Sequence, residues 1–270
     1  MFLKKKREEK KMEGRTERDV TSEGILKLIK LPDLLSVLNA LLGFSALVLV
    51  LGGISVTDRA LKNALVVILL AAVVDGLDGL VARNVEHSAL GTYLDSLADM
   101  ISFGLAPALV VYVLTTDYVA VPPSHGEVVL AFCGAYVICG MLRLARFNAN
   151  LFLGRKALPK ERKNDFVGFP ITGSATFLAS FLLMAIELEL PRTSSIFLLV
   201  GLMALLCVLM ISRIRYRNLR DKRLVIPVGI LFITLFFLYL FSVKFIYPVI
   251  AVVILTAFYI CSPLFLHKRT

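Results

Sequence analysis

Four aspartates, Asp75, Asp78, Asp95 and Asp99, stand in a stretch that otherwise reads as hydrophobic helix. One carboxylate at the centre of a membrane helix costs about 2.5–3.5 kcal/mol, so four cost on the order of 10 kcal/mol. That sum rivals the whole stability of a typical domain, about 5–15 kcal/mol. Placement near helix ends lowers the penalty, but clustered carboxylates still repel one another and take up protons unless cations join them. Arg83 neutralises one of the four at most. The remaining charge suits one or two divalent ions. Ligation by oxygen alone, with no cysteine nearby and only His87 on the connector, points to a hard cation such as magnesium or manganese rather than zinc. A pair of such ions is suited to phosphoryl transfer.

Helices must position these groups. Asp75, Asp78, Gly79, Ala82 and Arg83 fall at i, i+3, i+4, i+7 and i+8, which puts them on one helical face. Asp95 and Asp99 are spaced i, i+4 on the next helix, with Ser102 and Ala106 continuing the stripe. Two acidic faces joined by a short connector make a cradle for metal. Two other readings compete with it: buried helix-to-helix hydrogen bonds, and an ion pathway through a transporter. Transporters favour repeated halves and sites at the midplane, and neither is visible in this chain. Ser102 could bond a ligand but is expected to bond its own helix backbone, and Pro107 to kink its helix.

The wider chain agrees with a membrane setting. Its 270 residues are 58% hydrophobic and 19% charged, with a mean hydropathy of +0.81, which excludes a soluble globular domain. The predicted fold is all-α, a polytopic helix bundle with eight spans at residues 34–54, 61–80, 92–114, 128–146, 168–186, 196–211, 224–243 and 246–266. Basic residues accumulate in alternate connectors and in both tails, so both termini and the aspartate end are expected in the cytoplasm. The net charge of +10 then reports topology and attraction to anionic membrane lipids, and no nucleic-acid partner is implied. Residues 1–19 read as a disordered charged tail and 20–31 as an amphipathic helix lying in the interface. A core over residues 32–212 and a loop with two further spans over 213–270 complete the division. Cys133, Cys139, Cys207 and Cys261 lie in apolar runs and read as packing residues. Arg143, Arg146 and Asn148 end the fourth span on the aspartate side. One or more of them could bind an acceptor carboxylate or lipid phosphate, because a planar guanidinium pairs well with either; topology alone would also place arginines there.

The pattern Asp75-x2-Asp78-Gly79-x2-Ala82-Arg83, then seven residues, then Gly91-x3-Asp95-x3-Asp99 resembles the signature of the CDP-alcohol phosphotransferases, with a connector one residue shorter than that family's usual one. The runs from Leu94 to Ala108, Arg143 to Asn148 and Phe166 to Pro170 look like its serine-using branch, the CDP-diacylglycerol serine O-phosphatidyltransferases and their archaeal-lipid counterparts. The resemblance spans Pro32 to Pro170. It implies a six-helix catalytic core, here with two added spans, in a homodimeric enzyme of the cell membrane.

The implied reaction passes a phosphatidyl group from a CDP-linked lipid, CDP-diacylglycerol or CDP-archaeol, to the hydroxyl of L-serine and releases CMP. By the family's motif Asp75, Asp78, Asp95 and Asp99 hold two Mg2+ or Mn2+ ions, Gly79 and Ala82 line the nucleotide pocket, Arg83 meets phosphate, and Asp99 is the base. Glycine at position 79 would let backbone approach a bulky nucleotide, though a small residue also suits close helix packing. Another acceptor, inositol phosphate or glycerol phosphate, and a divalent-cation transporter are the alternatives to weigh.

Overall fold

The computed structural model describes residues 29–52, 57–81, 90–118, 123–157, 165–190, 192–217, 222–241 and 246–266. The expected tail, most of the expected interfacial helix, and Ala82, Arg83 and His87 lie outside them. The helices are α1 (Leu31–Leu51), α2 (Asp58–Val81), α3 (Gly91–Asp99), α4 (Ala106–Val113), α5 (Pro123–Ala157), α6 (Ile171–Glu187), α7 (Arg192–Ile211), α8 (Lys222–Leu240) and α9 (Ile246–Leu266). A π-helical segment, Met100–Leu105, fuses α3 and α4 into one rod that ends in a second such segment, Leu114–Tyr118. Eight rods therefore run through the described residues, near the eight expected spans. Five are long and apolar enough to cross a membrane.

Pro32 sits in the first turn of α1, where a missing N–H costs nothing. The Lys30 N–H donates to Asp33 Oδ2 at 2.7 Å and closes that turn. The face that α1 buries comprises Asp33, Ser36, Asn39, Gly43, Ala46 and Val50, recurring every three or four residues as one helix side requires. Its other side exposes Leu34, Leu38, Leu41, Phe44, Val48 and Leu51. Large apolar side chains turned outward along whole helices are suited to lipid. Inward, α1 packs on α2 and the α3–α4 rod, α2 on α6, α5 on α7, and α6 on α9. Leu65, Ile68, Phe103, Tyr136, Ile171 and Leu183 are among the side chains completely enclosed between them.

The π-helical turn has a cause in the sequence. Pro107 has no N–H, so it cannot donate the helical bond that the Phe103 carbonyl would accept, and the ladder widens before it. The donor comes from another helix: Tyr136 Oη on α5 bonds the Phe103 carbonyl at 3.2 Å, fully buried. Tyr136→Phe leaves that carbonyl without its donor in an apolar interior. It is expected to cost about 1 kcal/mol, read as earlier thermal unfolding in detergent.

Two features differ from the sequence expectation. The helix α5 continues 35 residues, about 50 Å, well beyond the expected end at 146 and beyond the thickness of a bilayer core. The connectors before α6 and after α7, expected as plain loops, pair as a two-stranded antiparallel ribbon, β1 (Asp165–Val167) with β2 (Arg215–Arg217). Three-residue strands carry almost no periodic signal, and only tertiary placement of both connectors at one end lets them meet. Beneath the ribbon Tyr216 is packed against Phe169 and Tyr259, with ring centroids 5.3 and 5.6 Å away. Burial pushes its phenol above the ordinary value, so it stays neutral. At Gly168, φ is +85°, a conformation open to glycine; its N–H donates to the Ile214 carbonyl at 2.8 Å and ties the turn to the ribbon.

At the end of the bundle away from the aspartates, Lys62 Nζ meets Glu187 Oε2 at 2.6 Å, and Tyr239 donates to Asn63 Oδ1. These contacts join α2 to α6 and α8.

Candidate active site

The last turns of α2 carry Asp75 and Asp78, and α3 carries Asp95 and Asp99. One carboxylate oxygen from each of Asp75, Asp95 and Asp99 lies within 4.8 Å of the other two. Ligands opposite one another around a small hard cation stand about 4 Å apart, so this spread fits a metal ion with slight adjustment. All donors are hard oxygens. The residues present therefore fit magnesium or manganese, as the residue types alone suggest. Asp78 is buried at 6% exposure and lies outside this trio, with its Oδ2 accepting from Ser36 Oγ at 2.6 Å.

Each acid is held by a neighbouring helix. Thr172 Oγ1, in the first turn of α6, donates to Asp75 Oδ2 at 3.1 Å. Asn39 Nδ2 on α1 donates to Asp99 Oδ1 at 3.2 Å. Asp99 itself is 6% exposed, while Asp75 and Asp95 are half-buried. Such bonds aim ligand oxygens before any ion arrives. Ser102 does not bond within its own helix as expected: its hydroxyl crosses to the Asn39 carbonyl at 2.7 Å.

The α5 residues divide. Arg143 is buried at 8% exposure, its guanidinium lies 5.6 Å from the Phe147 ring centroid, and its charge is within electrostatic reach of Asp99. Arg146 points elsewhere, donating from Nη1 to the Ser212 carbonyl at 3.1 Å and from Nη2 to the Ile211 carbonyl at 2.8 Å. It thus caps the C-terminal end of α7, beside a cavity of about 550 Å³ lined by Arg146, Val167, Ile211 and Arg213. Asn148 Nδ2 donates to Ser96 Oγ at 3.0 Å and ties α5 to α3. Beside Gly79 no described atom comes within 4 Å of where a Cβ would stand, which leaves room for a ligand on that face.

Ser36, Asn39 and Thr172 escape a reading that begins from charge. The signal that finds the first two is the run of polar and small residues Ser36, Asn39 and Gly43 at i, i+3 and i+7 in an otherwise apolar α1. Thr172 has no comparable signal.

The family model of CDP-alcohol phosphatidyltransferase matches residues 29–210, and the chain belongs to that family. The archaetidylserine synthase of Methanothermobacter thermautotrophicus is 36% identical over 195 residues, 71% of either chain. The CDP-diacylglycerol–serine O-phosphatidyltransferase of Mycobacterium leprae is 33% identical over 211 residues, 77% of this chain and 67% of the relative. The enzyme of the same name from Methanocaldococcus jannaschii is 31% identical over 201 residues, 73% of this chain and 79% of the relative. The protein is a CDP-alcohol phosphotransferase, and its apolar rods make it an integral membrane protein.

Proposed function

We propose that this enzyme transfers a phosphatidyl-type group from a CDP-linked lipid to the hydroxyl of L-serine, forming a phosphodiester and releasing CMP. The observation that carries the proposal is the trio of carboxylate oxygens on two facing helices, all within 4.8 Å of one another. Relatives whose names specify serine as acceptor support the choice of alcohol. Asp75, Asp95 and Asp99 would hold one divalent ion, and Asp78 would bring in a second. Such ions, magnesium or manganese, would neutralise the pyrophosphate and stabilise the departing CMP.

The side chains do the rest. Thr172, Ser36 and Asn39 keep Asp75, Asp78 and Asp99 aimed at the substrate, so little reorganisation remains when it binds. The open face at Gly79 receives the nucleotide, with Ala82 beside it and Arg83 on phosphate. Asp99 takes the serine hydroxyl proton as the new O–P bond forms and the bond to CMP breaks. This transfer comes late, after the hydroxyl has lost electron density to phosphorus. Of Arg143, Arg146 and Asn148, Arg143 and Asn148 form the acceptor side. Arg143 leads there through its burial beside Asp99, whereas Arg146 has committed two of its five N–H donors to α7. Accordingly Arg143→Lys should raise the serine KM about tenfold, the loss of one charge-assisted hydrogen bond. Arg146→Lys should leave KM within about twofold and mainly lower the thermal unfolding temperature.

The site is proposed to face the cytoplasm, open sideways to lipid and endways to water, in a cell-membrane homodimer with both termini cytoplasmic. Residues 32–212 would form the catalytic core, and α8 and α9 an addition to it. The test uses purified protein, CDP-diacylglycerol or CDP-archaeol, Mn2+ or Mg2+, and serine, glycerol phosphate or inositol phosphate in turn, with CMP measured. Release with serine alone, stopped by EDTA and restored by Mn2+, is expected. Release only with a phosphorylated acceptor, or turnover indifferent to EDTA, contradicts the proposal.

A further inference from the structure

One polar atom beside the carboxylates is left over. Asn39, 1% exposed, is held at two points: its backbone carbonyl accepts from Ser102 Oγ at 2.7 Å, and its Nδ2 donates to Asp99 Oδ1 at 3.2 Å. That second bond turns the amide NH2 towards Asp99. The amide oxygen is thereby committed to a second direction, where it accepts from no described residue. A buried acceptor without a donor is costly, and next to a reaction centre such an atom marks the place of a substrate donor.

We propose that Asn39 Oδ1 receives the ammonium group of the acceptor alcohol, and so selects an amino alcohol over other hydroxyl compounds; this rests on the reading that serine attacks beside Asp99. Oxygens of Asp95 and Asp99 lie within 4.8 Å of one another and Asn39 is bonded to Asp99, so acceptors gather here, and an ammonium is the group that donates in every direction and accepts in none. Serine carries its ammonium on the carbon next to the one bearing the hydroxyl. A hydroxyl presented to Asp99 therefore brings the ammonium within reach of the side chain already bonded to Asp99. A neutral amide also does this without adding a further negative charge to the cluster. Phosphorylated acceptors bring no cation to this position.

The test pairs a residue change with a substrate change. Wild type and Asn39→Leu are assayed with L-serine and with 3-hydroxypropanoate, the same molecule without its amino group. In the wild type, serine should be preferred in kcat/KM by about thirtyfold, and in Asn39→Leu the preference should fall to about threefold or less, most of the change lying in the serine KM. The KM for CDP-lipid should stay within about twofold of wild type, while the Mn2+ concentration for half-maximal rate rises alike with both acceptors, because Asp99 loses the bond that aims it; the acceptor preference is the deciding ratio. Asn39→Ser is carried in parallel, so that a poorly folded leucine variant does not decide the matter; it should lose the preference in the same way. Equal loss for both acceptors means that Asn39 only positions Asp99 and overturns the inference, as does a shifted Mn2+ dependence with the preference intact. Wild-type turnover confined to a phosphorylated acceptor overturns the serine reading and this inference together, whereas serine turnover with an unchanged preference overturns this inference alone.

Discussion

Asp95→Asn should release CMP at a rate lower by a factor on the order of a thousand, the scale of several kcal/mol of transition-state stabilisation by bound cations. The substitution keeps the shape of the side chain and removes one negative charge from a trio whose oxygens stand within 4.8 Å of one another. Cation binding weakens because an amide oxygen carries only a partial charge, while the protein itself should not suffer. Relieving repulsion among crowded carboxylates predicts a thermal unfolding temperature in metal-free buffer equal to or above that of wild type. A loss of activity with preserved or raised stability separates a role in binding cations from a role in holding the bundle together. Activity retained near wild type would remove Asp95 from the chemistry.

The second large effect lies on α1. A Cβ at Gly43 would stand 2.6 Å from Ser102 Cα, and backbone in a packed helix cannot yield as a flexible side chain can. Gly43→Val therefore wedges α1 away from the π-helical segment. The Ser102–Asn39 and Asn39–Asp99 bonds run through the same contact, so the wedge reaches the site. Overpacking costs about 1–3 kcal/mol, and misplacing catalytic groups by about 1 Å costs about a hundredfold in rate. Both losses are expected together, in a detergent melt and in CMP release. Gly201→Val, at a position with no described atom within 4 Å of the added Cβ, is the matched control and should change neither appreciably.

Hydropathy placed the eight rods because an apolar run of about 20 residues has few other uses, and basic residues marked the end at which the connectors before α6 and after α7 meet. The helical spacing of Asp75, Asp78, Asp95 and Asp99 made the two acidic faces legible. It could not distinguish Asp78, bonded to Ser36, from the trio, because that difference depends on how α1 leans on α2. The reach of α5 to Ala157 was hidden by Asn148, Asn150, Gly154, Arg155 and Lys156, which interrupt the apolar run. Pro107 announced a disturbance, but its form, a π-helical turn completed by Tyr136, depends on a side chain 33 residues away in sequence from the carbonyl it serves. Asn39 and Ser36 were visible as polar residues in an apolar helix, and their meaning follows only from what they touch.

Manganese binding to the purified, metal-free protein tests the central claim most directly, read by electron paramagnetic resonance as the loss of the free-ion signal. Saturable binding should be seen in the wild type, weakened at least about tenfold in Asp75→Asn and Asp95→Asn and unaffected in Lys62→Met at the far end of α2. Identical binding by wild type and both aspartate variants, or no saturable binding by any of them, would contradict the account.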